Sequence, residues 1–201
     1  MSKFNSILKR IFDFFASLLG IIVLSPILVA VSIAIKLDSK GNILFLQKRV
    51  GKDGVPFNIY KFRTMVTDAE KLGKQITVGK DSRITKTGAF LRKYKIDELP
   101  QLFNVLKGDM SLVGPRPEVP KYVELYTEEE KKVLTVRPGI TDLASLRYKD
   151  ENEILGKVEN PEEYYINVIM KDKLKLNLEY IEKSNLFFDI SLIIKTVIKC
   201  I

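Results

Sequence analysis

This sequence predicts an α+β fold, mostly helical, on three observations. Residues 11–35 are apolar apart from Asp13 and a few small hydroxyls. Residues 43–64 alternate with a period of two on either side of Gly51-Lys52-Asp53-Gly54, the signature of a β-hairpin. Leu99, Leu102, Phe103 and Leu106 recur at i, i+3, i+4 and i+7, the stripe of an amphipathic helix. The expected order is a membrane-inserting helix, a hairpin and a central helix, then further amphipathic helices suited to a membrane surface.

At 201 residues one domain is expected, long enough for a real core. Lys and Arg number 33 against 25 Asp and Glu, giving +8 and implying an anionic partner: nucleic acid, membrane surface or nucleotide. No aromatic-basic nucleic-acid motif accompanies the charge, so nucleic acid is set aside. The chain has no His, so acid–base work falls to carboxylates, Lys or Tyr, and a His-ligated metal is excluded. The single Cys200 rules out an intramolecular disulfide, fits a reducing compartment and reads as a small hydrophobe. A hard cation on oxygen ligands stays open.

The apolar run of 25 residues is long enough to cross a bilayer. A cleaved leader is set aside, because the run is too long and no small-x-small site follows it. Two facts weigh against a single spanning helix. Ser25-Pro26 falls at its middle, where proline removes a hydrogen bond and bends the axis. Both flanks are basic: Lys3, Lys9 and Arg10 before, Lys36, Lys40, Lys48 and Arg49 after. The positive-inside rule then gives no reason to put the ends on opposite faces. Spanning and re-entrant readings both stay open on this ground. Arg10 and Asp13, at i and i+3, are expected to pair.

In the second hairpin strand Phe57, Ile59, Lys61 and Arg63 share one face. Two cations continuing an apolar face read either as a strand running into solvent or as a cationic lip. Residues 66–86 are polar and predict a short helix, then a loop. Thr87 is a candidate N-cap for the next helix, which bears Leu91 and Arg92.

The stretch from Arg92 to Pro117 opens with Arg92, Lys93 and Lys95 and then presents Asp97 and Glu98. Gly108 sits where a helix C-cap belongs. The two acids thus fall at a helix N-terminus, where the dipole is expected to lower a carboxylate pKa. Adjacent acids there are usually no more than dipole complements. Here they stand among cations, with Arg116 held between Pro115 and Pro117, an arrangement suited to chemistry on a phosphate.

Further on, Val119, Tyr122, Val123 and Tyr126 share a side of a short helix, and Thr127 with Glu130 forms a capping box. Asn160-Pro161-Glu162-Glu163 is a helix start. Residues 185–201 read as one more amphipathic helix, with Lys195 and Lys199 beside its apolar positions.

The central stretch resembles the bacterial sugar transferases, the monotopic polyprenyl-phosphate phosphoglycosyl transferases. The matching residues are Asp97-Glu98-Leu99-Pro100-Gln101-Leu102, Asn104-Val105, Lys107-Gly108-Asp109-Met110-Ser111 and Gly114-Pro115-Arg116-Pro117. Further matches are Lys61-Phe62-Arg63-Thr64-Met65, Asp81-Ser82-Arg83-Ile84-Thr85 and Val136-Arg137-Pro138-Gly139-Ile140-Thr141. The resemblance implies a re-entrant membrane helix kinked at Ser25 and Pro26, with residues 1–37 as anchor and 38–201 as the catalytic domain. It implies that Asp97 attacks the β-phosphate of a UDP-sugar, forming a covalent phosphosugar intermediate and releasing UMP. Polyprenyl phosphate then takes the phosphosugar. Glu98 is implied to assist, and Mg²⁺ is implied, held by Asp97 and in some arrangements Glu98. Lys61, Arg63, Arg83, Arg92, Arg116, Arg137 and Arg147 become the candidates for phosphate. The implied location is the inner leaflet of a bacterial cytoplasmic membrane, facing the cytoplasm, with a homodimer left open. The chain departs from the pattern at Asp142, where many members have Gly, at Ser145, where they have Gln, and over Leu146-Arg147-Tyr148. Two other classes compete: a membrane-anchored anion-binding module, and a scaffold for glycan assembly.

Overall fold

In the computed structural model the described residues are 3–67, 69 and 81–200. The short helix and loop expected over 66–86 fall largely outside them, as does the Cys200 side chain. Helix α1, Lys3–Asp38, runs through Ser25-Pro26 as one helical segment, with the Ser25 hydroxyl donating to Ile22 O at 2.8 Å. Its 36 residues correspond to about 54 Å of helix. It is long and apolar enough to cross a membrane, and large side chains such as Phe15, Leu19, Ile22 and Val23 stand exposed along it.

The opposite side of α1 meets the body near both ends and at Ser17 and Gly20 between them. Near its start, Lys9 pairs with Asp189, and Arg10 donates to Val105 O at 2.6 Å and Leu106 O at 3.0 Å. Asp13, 2% exposed, accepts from Leu112 N at 3.2 Å. The expected Arg10–Asp13 pair is therefore replaced by two separate contacts with the body. Gly20 lies against Leu102, where an added Cβ would stand 3.4 Å away. Near its end Ile35 packs with Phe62 and Leu91, and Asp38 accepts from Thr87 N at 3.0 Å.

The hairpin forms as expected. Strands β1, Leu44–Val50, and β2, Pro56–Phe62, pair antiparallel with Phe45 opposite Lys61, Gln47 opposite Ile59 and Arg49 opposite Phe57. These six side chains share one face, so half of it is polar. The free edge of β2 is closed by a side chain. Asn104 Oδ1 accepts from Tyr60 N at 2.9 Å, and its Nδ2 donates to Asn58 O at 2.8 Å, in place of a third strand.

Helix α2, Lys86–Lys93, is capped by Thr85, which accepts from Gly88 N. The expected cap, Thr87, has its amide tied to α1 instead. Gly88 is required here, because a Cβ would fall 2.0 Å from Thr64 O. A 3₁₀ turn, Ile96–Glu98, leads into α3, Gln101–Lys107, which ends at Gly108 with φ 98°. Arg10 and Arg137, the latter donating to Gly108 O at 2.9 Å, hold the carbonyls at that end. The buried side of α3 is Gln101, Asn104 and Val105, so the apolar stripe read from the sequence faces elsewhere. Leu102 meets α1 and Phe103 is 40% exposed.

Strand β3, Ser111–Val113, pairs parallel with β4, Gly139–Thr141. The short helices α4 (Pro120–Val123), α6 (Glu151–Leu155) and α7 (Pro161–Tyr164) border a core of Tyr122, Tyr126, Leu155, Tyr165, Ile169 and Leu174, while α5 (Leu143–Arg147) packs Leu143 and Leu146 by Val113, Tyr180 and Leu192. A π-helical turn, Tyr165–Ile169, leads into α8, Met170–Lys183, and α9, Leu186–Cys200, closes the chain. The Thr127–Glu130 capping box and the Asn160 cap both form.

Candidate active site

The 3₁₀ turn is forced by Lys95, whose φ of 56° turns the chain sharply after α2. It presents Asp97 and Glu98 toward β2 and the segment after β3. Lys61 Nζ donates to Glu98 Oε1 at 3.0 Å. Arg116 Nη1 donates to Glu98 Oε2 at 3.1 Å, and its Nη2 reaches Oε1 in a close, bidentate contact. Asp97 differs sharply. It is 8% exposed, and its Oδ1 is buried with no hydrogen-bond partner among the described residues.

Electrostatics drives the two acids apart. Burial pushes Glu98 up, but Arg116 and Lys61 overcome it and hold its carboxyl well below the usual range. Burial, and then the charge of Glu98, push Asp97 up against the pull of Lys61, Arg92 and Lys95. The expectation that the helix dipole would lower the pKa is therefore corrected for Asp97. Desolvation and a neighbouring anion outweigh one short turn's dipole. Burial lowers Lys61, and the charge of Glu98 raises Arg116.

The other expected cations divide. Arg92 donates to Thr64 Oγ1 at 2.9 Å and lies close enough to Asp97 for their charges to act on each other. Arg63 lies outside the cluster: it clasps the end of α1 through Lys40 O at 2.9 Å and Ser39 O at 2.7 Å. Arg83 is locked on Asp81 at 2.6 Å and also donates to Ala69 O. Arg137 holds Gly108 O, and Arg147 faces Asp172 at 3.4 Å. A guanidinium with carbonyls or a carboxylate in reach is held there by good geometry, and the sequence alone does not show those partners.

No group of three or more potential metal-binding side chains is gathered among the described residues. The unpartnered Asp97 Oδ1 nevertheless suits Mg²⁺, which is commonly held by one or two carboxylates with water and substrate phosphate completing its shell. Both oxygens of Glu98 are engaged by cations, so Asp97 is the better fit.

The sequence profile described as Bacterial sugar transferase matches residues 4–201. The chain belongs to the bacterial sugar transferase family. It is 38% identical over 98% of its length to a UDP-N-acetylgalactosamine-undecaprenyl-phosphate N-acetylgalactosaminephosphotransferase of Aeromonas hydrophila, spanning 44% of that protein. It is 38% identical over 99% of its length to the UDP-glucose:undecaprenyl-phosphate glucose-1-phosphate transferase of Escherichia coli, spanning 41% of it. An exopolysaccharide production protein of Rhizobium leguminosarum is 39% identical, with 96% of this chain and 94% of the relative covered.

In this bacterial sugar transferase the departure at Asp142 has a structural role. The residue is fully buried, its Oδ1 accepts from Ser145 N at 2.6 Å to cap α5, and its Oδ2 accepts from Arg116 N at 3.1 Å. Sequence reasoning missed Arg49 and Glu118. Arg49 Nη1 donates to Glu118 Oε1 at 3.0 Å and to Pro117 O at 3.1 Å, just behind Arg116. The period-two pattern held the clue, since it puts Phe45, Gln47 and Arg49 on the inner face with Lys61. Gln101 was read only as part of a motif, yet it is fully buried, with neither side-chain polar atom partnered among the described residues.

Proposed function

We propose that this protein is a phosphoglycosyl transferase that moves a phosphosugar from a UDP-sugar to polyprenyl phosphate, by way of a covalent bond to Asp97. One observation carries this reading: of two adjacent carboxylates, one is held by two cations and the other keeps a buried oxygen without a protein partner among the described residues. In the first step a carboxylate oxygen of Asp97 attacks the β-phosphorus. The bond from that phosphorus to the bridging oxygen breaks, and UMP leaves with that oxygen. The product is a mixed anhydride between Asp97 and the phosphosugar. An oxygen of polyprenyl phosphate then attacks the same phosphorus, the Asp97–phosphorus bond breaks, and the carboxylate is restored. Neither step needs a net proton, which suits a chain without His. Mg²⁺ bound by Asp97 would screen the repulsion between the carboxylate and the diphosphate. Lys61 and Arg116 keep further N–H groups for phosphoryl oxygens while they fix Glu98.

The membrane arrangement in this reading is a re-entrant α1 in the inner leaflet of the bacterial cytoplasmic membrane, bent at Ser25-Pro26, with the body on the cytoplasmic side. It is supported by the docking of residues 9, 10 and 13 at one end of α1, and 35 and 38 at the other, onto the same body. A straight spanning helix would put those ends about 30 Å apart across hydrocarbon. The relatives' names cite glucose and N-acetylgalactosamine, so hexoses and N-acetylhexosamines are the first donors to try. Purified protein with Mg²⁺, undecaprenyl phosphate and a panel of UDP-sugars is expected to release UMP and, without acceptor, to carry the sugar phosphate on Asp97. A panel yielding no UMP overturns the reading in favour of a scaffold or binding protein, and Asp97→Asn protein that still turns over overturns the covalent bond to Asp97.

A further inference from the structure

The geometry points to the buried chain Arg49–Glu118–Tyr165 as a positioning device for Arg116, one that links the site to the π-helical turn. The inference rests on the transferase reading above. Arg116 lies in a segment held at every residue. Gly114 N donates to Thr141 O at 3.0 Å, Pro115 O accepts from Gly139 N at 3.0 Å, and Arg116 N is fixed by Asp142. Pro117 O is held by Arg49, and Glu118 O accepts from Val50 N at 3.0 Å. The Glu118 carboxylate then gathers three donors: Arg49 Nη1 at 3.0 Å, its neighbour Val119 N at 2.9 Å and the Tyr165 hydroxyl in a close contact. Arg49 itself is braced by Gln47 Oε1 at 2.6 Å.

The backbone from 116 to 118 is thus stretched between two ion pairs, Arg116–Glu98 in front and Arg49–Glu118 behind. Pro117 fixes φ between them, so a shift of Glu118 is passed on to Arg116 instead of being absorbed. The π-helical turn places Tyr165 as the last member, at the start of the turn, where it also packs on Tyr122 with ring centroids 5.1 Å apart. Removing the hydroxyl alone therefore leaves the packing in place.

The test compares wild type with Tyr165→Phe and Glu118→Gln in the UMP-release assay with Mg²⁺, undecaprenyl phosphate and the active UDP-sugar, alongside thermal melts. Tyr148→Phe serves as control in the same core, losing a hydroxyl that binds Asp172 at 2.7 Å and not Glu118. A positioning role predicts that kcat per folded molecule falls by about ten- to a hundredfold in both variants, while KM for the donor moves little. Tyr148→Phe keeps its kcat. A purely structural role predicts lower melting temperatures with kcat per folded molecule unchanged, and that result overturns the inference. A wild type that releases no UMP from any donor overturns the transferase reading itself, whereas an active wild type with equally active variants removes only the positioning role.

Discussion

Asp97→Asn removes a charge that the surroundings resist. Between its ordinary value of 3.8 and its raised value, the folded chain keeps a proton that the unfolded chain gives up. Asp97 therefore lowers stability as pH rises through that window. The Asn variant is expected to lose turnover yet melt about 2–4 °C higher at pH 7, as a gain near 1 kcal/mol would give, with the gain vanishing in acid. Glu98→Gln should do the opposite. Its pKa lies below the model-peptide 4.5, so its contribution is present above that value and fades as pH falls further. Losing that charge leaves the half-buried Lys61 and Arg116 without their nearest anion and is expected to cost about 1–3 kcal/mol at neutral pH, read by chemical denaturation. At this scale the gathering of two acids with cations was legible, because two acids amid cations and prolines is a local pattern. The difference between the two acids was not legible, because it depends on which carboxylate Arg116 and Lys61 reach from distant strands.

Helix starts and strand edges show where local signals run out. Thr85 and Thr87 are both acceptable caps by residue type, and Asp38 decides between them by taking the Thr87 amide from across the fold. Thr85→Ala is expected to cost about 1 kcal/mol and Thr87→Ala only a few tenths, measured by the same denaturation curves. Asn104→Ala would strand the Tyr60 amide and the Asn58 carbonyl at the edge of β2, and should cost about 2–3 kcal/mol. The hairpin, the capping box and the Gly108 cap followed directly from spacing, since turn and cap chemistry is decided within a few residues. The facing of α3 did not: its apolar stripe serves α1, and its polar Gln101 and Asn104 turn inward. Arg63, Arg83, Arg137 and Arg147 were all plausible phosphate ligands by sequence, yet each has carbonyls or a carboxylate of the fold within reach.

For the molecule as a whole, the apolar run and the net positive charge placed the protein at a membrane before any coordinates. The path of the helix was open, because length and hydropathy are the same for a span and a re-entrant loop. A single cysteine at Asn5 or at Lys40, in a Cys200→Ser background, tests the re-entrant path. Both sites should resist an impermeant maleimide in intact cells and react together once the cytoplasmic face is opened. Labelling of one site alone in intact cells means a span.

The ion pair between Lys9 and Asp189 joins residues 180 positions apart in sequence. Tyr180, whose hydroxyl donates to Asp189 at 2.6 Å, and Asp13, waiting for the Leu112 amide, belong to the same junction. Because α1 precedes α9 in the chain, Lys9 and Asp13 are made before the partners they meet in the fold. The docking of α1 on the body is therefore completed only once α9 has been made, so the late steps of folding are ordered by contacts of long range.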